Sequence, residues 1–242
     1  MSVLLLRLAG PLQAWGSSAR FVRRTTEPAP TKSGVIGMLA SAAGIDRADD
    51  GALARLAELR FGVRIDQPGT RVRDFQTAHH AVTGKSMPLS ERFYLADAVF
   101  VAALEGDPDH LTALHTALRA PAYPLFLGRR SCPPDLPPEI GIRDTGLQQA
   151  LRDEPWHAAR WYQRLRRTDT AVALTVLSEP GPGEQPGGDT LRDQPLSFSP
   201  AHRRHTLRSV ITTTVKVPNP RAAPAHSVPR HDPFDAVEEE TL

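Results

Sequence analysis

One cysteine, Cys132, stands in 242 residues, so no intrachain disulfide can form and no second thiol is available to complete a metal site. Such a chain is expected in a reducing cytosol. Lysine is almost as scarce: Lys32, Lys85 and Lys216 are the only three among 29 cationic residues. No apolar run approaches the roughly 18 to 20 residues that span a bilayer. The expectation is therefore a soluble, cytoplasmic protein without a membrane partner. The opening MSVLLLRLAG has too short an apolar core for a secretory leader, lacks a charged start and is broken by Arg7, so it reads as a first strand. There is no internal repeat.

Arginine is plentiful, and it clusters: Arg20, Arg23 and Arg24; Arg129 and Arg130; Arg160, Arg164, Arg166 and Arg167. A net charge of +2 does not by itself point to nucleic acid. Guanidinium forks do suit phosphates and base edges. A GC-rich coding sequence would produce the same bias toward arginine, so the position of the clusters decides their meaning.

Periodicity then divides the chain. Val3 to Leu8 is apolar on both faces apart from Arg7, the pattern of a central strand. After a long loop, Gly10 to Pro30, Thr31 or Ser33 caps a helix that ends at Gly44 and places Val35, Ile36, Leu39, Ala40 and Ala43 on one side. A second helical piece, DDGALARLAELR, leads to a strand alternating at Phe61, Val63 and Ile65. A polar, basic hairpin arm precedes one apolar strand, LADAVFVAAL, and Asp107 with Pro108 opens a helix closed by Pro121.

This β-α-β-β-α order begins a ferredoxin-like unit, which does not alone determine function. The second half is richer in proline. TAVALTVL and HTLRSVITTTVKV read as strands, SEPGPGEQPGGD as a mobile loop, and residues 218–242 as a disordered tail.

The stretch PTKSGVIGML has the lysine-serine pair of a nucleotide-binding loop but not its glycines. Thr26, Glu27, Pro28, Ala29, Pro30 and Thr31 precede Lys32; the two prolines remove N–H donors and Glu27 repels phosphate. That excludes an NTPase. A helix N-terminus with a hydroxyl and a cation remains, either a general phosphate site or an ordinary capped helix with an exposed lysine.

Several separated segments together carry a resemblance. LRLAGPLQAWG, PTKSGVIGML, RDFQTA, RFYLADAVF and PLFLGRRSCP occur in the order and approximate spacing of the subtype I-E branch of the fifth CRISPR-associated (Cas) protein family, within the RAMP superfamily. The match is specific over residues 3 to 133, looser to Val217, and absent beyond Pro218. It implies an α+β fold: a ferredoxin-like (RRM/RAMP-type) βαββαβ core over 1–135, with a protruding β-hairpin thumb at about 71–92, and a β-rich C-terminal extension over 136–217.

The resemblance also implies a non-catalytic crRNA-binding subunit of the type I-E Cascade surveillance complex, serving antiviral defence. Such a subunit holds the 5′ handle of the crRNA and caps the backbone filament. Its partners are the crRNA, the backbone subunit and the large PAM-recognising subunit, with target DNA reached indirectly and no cofactor or metal.

Carried over by residue, Lys32 and Ser33 hold a handle phosphate or the 5′ end, and Gln13 and Trp15 reach splayed nucleotides. Trp15 either stacks on a base or serves as a lid over the core. Arg20, Arg23 and Arg24 contact backbone. Arg129, Arg130 and Ser131 form a second site in which Gly128 lets the chain turn and two forks point to one side, the alternative being an ion pair with Asp135 or Glu139. Arg73, Gln76 and Thr77 belong to the thumb, with contacts to RNA and the adjoining subunit, and WHAARWYQRLRR, with Trp156 and its basic residues, is a helical stretch that either forms a protein–protein surface or covers the core with its aromatics.

The rival function is metal-independent endoribonuclease processing of precursor crRNA, as in the subtype I-C relative. His79, His80, Lys85 and Tyr94 offer acid-base groups for it. Adjacent histidines on a strand face opposite ways, however, and cannot act together on one phosphate. His202 and His205 lack the carboxylate or thiol company of a metal site.

Overall fold

The computed structural model describes residues 1–17, 23–184, 188–199 and 201–223. Among them the elements run β1 (Ser2–Ala9), β2 (Leu12–Gln13), β3 (Arg23–Arg24), α1 (Lys32–Ala42), α2 (Asp50–Ala57), β4 (Arg60–Gln67), β5 (Thr70–Gln76), β6 (Ser90–Ala96) and β7 (Val99–Gly106). Then follow α3 (Pro108–Arg119), β8 (Glu139–Arg143), α4 (Leu147–Asp153), α5 (Arg160–Leu165), β9 (Ala171–Ser178), β10 (Asp189–Ser197) and β11 (Arg204–Pro218). The architecture is mixed α/β, built on an antiparallel sheet of order β10-β11-β9-β4-β7-β1-β8.

The period of two along β1 explains why both sheet faces are covered. Leu4, Leu6 and Leu8 join Phe61, Phe100 and Leu104 under α1, α2 and α3. Val3 and Leu5 point the other way, into a second core with Leu147, Leu151, Trp156 and Val176 beneath α4 and α5. Helix starts follow the expected chemistry. Thr31 caps α1 by accepting from Gly34 N, and Asp107 caps α3 by accepting from Asp109 N and His110 N.

β5 and β6 form the hairpin arm, paired from Thr70↔Ala96 to Gln76↔Ser90 and prolonged by a His79↔Ser86 bridge. β6 also pairs β2 and β3, making a small second sheet beside the main one.

Three expectations need correction. LADAVFVAAL is not one strand: it breaks at Asp97, which has φ 56, so Leu95 belongs to β6 in the small sheet and Val99 opens β7 in the main one. Elements β8, α4 and β10 are absent from the sequence reading. Strand β10 contains Pro195, which removes a ladder donor and is tolerated at the sheet edge next to a register shift. Finally, the fold continues past Pro218. Asn219 is buried, its Nδ2 donates to Gln163 O at 3.3 Å and Arg166 O at 2.8 Å, and Ala223 N donates to Arg167 O at 2.7 Å. The rest of the expected tail, 224–242, lies outside the described residues, as do 185–187 of the loop read as mobile.

A charged knot ties α1 to the far end of the sheet. Arg208 Nε donates to Asp193 Oδ1 at 2.6 Å and Nη2 to Oδ2 at 2.9 Å. The same carboxylate accepts from Lys32 N at 2.8 Å. Lys32 Nζ lies 2.9 Å from Glu179 Oε1, and Glu179 Oε2 accepts from Phe61 N at 3.0 Å. Two buried cations and two carboxylates therefore balance.

On the other face, Glu154 is almost fully buried between Arg143 Nη2 at 3.0 Å and His157 Nε2 at 2.8 Å. Burial pushes its carboxyl up, but the His157 hydrogen bond and the Arg143 charge outweigh this, so it titrates below its ordinary 4.5. A carboxylate with a depressed folded-state pKa contributes stability above its unfolded value, and that contribution disappears as pH falls through the folded value. Glu154→Gln is accordingly expected to lower the urea midpoint above pH 4.5 and to flatten the acid-side loss of stability, as equilibrium unfolding across pH would measure.

Candidate functional site

A cleft of about 780 Å3 lies over the half-buried side of α1. Its floor is the stripe Ser33, Gly37 and Ser41, spaced i, i+4, i+8, with Gly34 beside it. These positions have no bulk to give. A Cβ on Gly34 would stand 2.8 Å from Trp15 Cε3. One wall is Tyr123, Pro124, Phe126, Gly128 and Arg130; the other is Phe198 and Arg203 from the β10–β11 connection with His205 of β11; Arg47 also lines the cleft.

Arg47, Arg130 and Arg203 are exposed, and none has a carboxylate within 4.0 Å among the described residues. Burial pushes the His205 imidazole below its ordinary 6.5; the Arg203 charge adds to this and the Asp193 carboxylate opposes it. Backbone and hydroxyls on the floor, aromatic faces on the walls and unpaired guanidinium groups around the rim suit a single-stranded polyanion with bases. Among the described residues no three His, Cys, Asp or Glu side chains gather as metal ligands.

Gly128 gives this wall its shape. It has φ +88, and a Cβ there would lie 1.8 Å from Ala14 O. Around it Leu127 N donates to Cys132 O at 2.7 Å, Cys132 N to Arg129 O at 2.9 Å, and Ala14 N to Leu127 O at 3.1 Å.

The structure redistributes the sequence-predicted residues. Ser33 lines the floor and Arg130 the wall, as open groups. Lys32 does not line the cleft. Its side chain turns inward to Glu179, and burial lowers its pKa against the raising effect of that carboxylate. The start of α1 already holds an anion, Asp193, on Lys32 N.

Gln13 is buried: Nε2 donates to Leu8 O and Ala98 O, and Oε1 accepts from Trp15 Nε1 at 3.0 Å. Trp15 is 0% exposed, so it is the lid over the core and not a free stacking platform.

The two forks of Arg129 and Arg130 diverge. Arg129 lies over the Tyr94 ring at 4.7 Å and donates to Phe93 O at 3.1 Å and Arg24 O at 2.9 Å, bracing β3 against β6. Neither arginine takes the suggested carboxylate partner; Asp135 pairs with Arg7 at 2.8 Å. Ser131 is exposed behind the turn, and Arg24 is exposed on β3. Arg20 lies outside the described residues.

Arg73, Gln76 and Thr77 sit on the hairpin arm, away from the cleft lining. Arg73 stacks over Phe75 at 4.6 Å and Gln76 Nε2 donates to Asp74 at 3.0 Å. Of the acid-base candidates, His79, His80 and Lys85 share the tip of the arm, where His80 N donates to Lys85 O at 2.9 Å, and Tyr94 lies apart from them. His79 Nδ1 contacts Gly84 O, His80 Nδ1 accepts from Val82 N and Thr83 N, and Tyr94 is buried under Arg129.

Sequence reasoning missed Arg47, Tyr123, Phe126, Phe198 and Arg203, and weighed His205 only as a metal ligand. The run SFSPAHRRH, an aromatic next to a basic cluster, was the available signal.

The residues of the cleft and most of the sheet that supports it fall within a matched family. Residues 3–211 fit the family described as CRISPR-associated protein (Cas_Cas5), and the chain belongs to that family. It is 36% identical over 198 residues to the CRISPR system Cascade subunit CasD of Escherichia coli (strain K12), covering 74% of this chain and 88% of that protein.

Two solved structures are similar. A chain of a CRISPR RNA-guided surveillance complex is 32% identical with a TM-score of 0.75, covering 98% of this chain and 100% of that one. The crystal structure of a Cas protein is 35% identical with a TM-score of 0.67, covering 91% and 97%.

Proposed function

We propose that this protein is the non-catalytic crRNA-binding subunit of a type I-E Cascade complex, holding the 5′ handle of the crRNA and capping the backbone filament in antiviral defence. The observation that carries this reading is the cleft over α1, in which Ser33, the glycine floor, Arg130 and Arg203 face one open groove. Its support is the likeness to a protein named as a Cascade subunit and to a chain of an RNA-guided surveillance complex. Lys32, Gln13, Trp15 and Arg129 enter as the frame that shapes the groove, while Ser33 and Arg130 are direct handle contacts.

The core is ferredoxin-like: β1, α1, β4, β7, α3 and β8 follow one another in chain order, and their strands lie in the sheet order β8-β1-β7-β4. Hairpin β5–β6 is the thumb, its Arg73, Gln76 and Thr77 meeting RNA and the neighbouring backbone subunit. The residues after β8, 144–217, form the β-rich extension, and the large PAM-recognising subunit is the other neighbour. Target DNA is reached through the guide, in the cytoplasm, without cofactor or metal.

The test is the purified chain with labelled handle RNA in chelator across a salt series. Arg130→Glu with Arg203→Glu is expected to weaken binding at least about tenfold and to reduce the slope of log affinity against log salt by about 1.4. Unchanged binding would remove the cleft from the reading. Cleavage products in the wild type would replace it with the endoribonuclease.

A further inference from the structure

The basic cluster farthest from the cleft has no part in the site described so far. Helix α5 packs on the second core through Tyr162, whose ring meets Trp156 edge-on at 6.0 Å. That places α5 on the sheet face opposite α1. Its outer side carries two adjacent stripes at i, i+4 spacing: Trp161 with Leu165, and Arg160 with Arg164.

Trp161 is 51% exposed, the only strongly exposed tryptophan of the three; Trp15 and Trp156 are buried. Its ring is held upright by an edge contact with Tyr162 at 5.7 Å and 89°. Arg167 follows in the next turn, while Arg166 is tied to Asp169 at 2.7 Å. Arg160, Arg164 and Arg167 are exposed and have no carboxylate within 4.0 Å among the described residues.

We propose that this outer face of α5 is a second contact surface for single-stranded nucleic acid, with Trp161 as the stacking platform and Arg160, Arg164 and Arg167 as phosphate contacts. A rigid exposed ring flanked by unpaired arginines is the combination that binds a flexible polyanion with little regard to sequence. Two apolar side chains fall far short of the apolar centre of a stable protein interface, whereas one ring is enough to stack one base. The surface is independent of the cleft: no residue of α5 lines that groove, and the sheet lies between them.

The experiment uses the full chain with fluorescein-labelled homopolymers of deoxythymidine and of uridine, about 15 nucleotides long. Anisotropy gives affinity and intrinsic fluorescence reports Trp161; circular dichroism checks that each variant is folded. Trp161→Ala is expected to lower affinity about fivefold or more and to abolish the tryptophan quench. Combining Arg160→Ser, Arg164→Ser and Arg167→Ser should reduce the salt slope by about 2. Arg130→Ser with Arg203→Ser, in the cleft, should leave the quench in place. The tighter of the two homopolymers identifies whether DNA or RNA is the source.

Equal affinity and slope in the wild type and the α5 variants would overturn the proposal. So would a quench that disappears only when the cleft is altered, or α5 variants that lose a protein neighbour of the complex while keeping both homopolymers.

Discussion

Arg64→Met is expected to destabilise the fold by about 3–5 kcal/mol, with an unchanged m-value, in urea unfolding of the isolated chain. Arg64 is 0% exposed, and each of its five N–H donors has a partner. Nε and Nη2 bind Asp66 at 2.7 and 3.0 Å, Nη1 donates to Leu151 O at 2.7 Å and Glu154 O at 2.6 Å, and Nη2 donates also to Pro155 O at 2.7 Å. Methionine fills much of the volume but leaves a buried carboxylate and three carbonyls at the end of α4 without their donor.

The loss comes mainly from stranded partners rather than from the missing pair, because removing one member of a buried ion pair costs more than the pair contributes. Asp66→Asn should therefore be milder, since Arg64 keeps its three carbonyl acceptors and the one remaining side-chain oxygen can still accept from Arg64 Nη2 and from His157 N, which now donates to Asp66 Oδ2 at 2.6 Å, so that only Nε loses its acceptor. Comparable losses from the two substitutions would contradict this account.

Gly128→Ala is the second large effect, and it joins stability to the cleft. At φ +88 an L side chain is strained, and the new Cβ would fall 1.8 Å from Ala14 O, inside any permitted contact. The turn can relieve this only by moving away from the strand-like segment that holds Ala14, breaking the bond from Ala14 N to Leu127 O. A loss of at least about 2 kcal/mol is expected from backbone strain and the displaced contact together. The variant should lose more affinity for handle RNA than Arg130→Ala, because it displaces the whole wall and not one fork. A thermal midpoint within 2 °C of the wild type, about 1 kcal/mol or less at this size, would show that the turn yields cheaply.

Much of the fold could be read from period and punctuation. Strand β1, α1 with its Thr31 cap, α3 behind Asp107 and Pro108, and β11 follow from local rules that packing then reinforces. Local rules could not see β10, whose pairing depends on β11 and on Asp193 reaching across 161 residues to Lys32. Nor could they place Arg64. Alternation in FGVRID sends Arg64 to the face opposite Phe61 and Val63, and only the arrival of α4 turns that face into an interior.

The candidate site was half legible for the same reason. Ser33 and Arg130 sit in motifs and do face the groove. Lys32 sits in the same motif, but its charge is neutralised by Glu179, far along the chain. The opposing wall, Phe198 to His205, comes from a region where sequence shows only an irregular aromatic-basic run.

The knot that joins Lys32, Asp193, Glu179 and Arg208 has a kinetic consequence for the groove above it. Its floor and one of its walls stand on elements that this knot clamps together: α1 below and the β10–β11 hairpin beside it. Parting them would expose the buried charges of Lys32, Asp193 and Arg208 and strip Glu179 of its partners, so the floor and that wall hold their spacing. A ligand meets a finished surface, and its rate of entry is governed by long-range attraction and added salt rather than by waiting for a rare conformer.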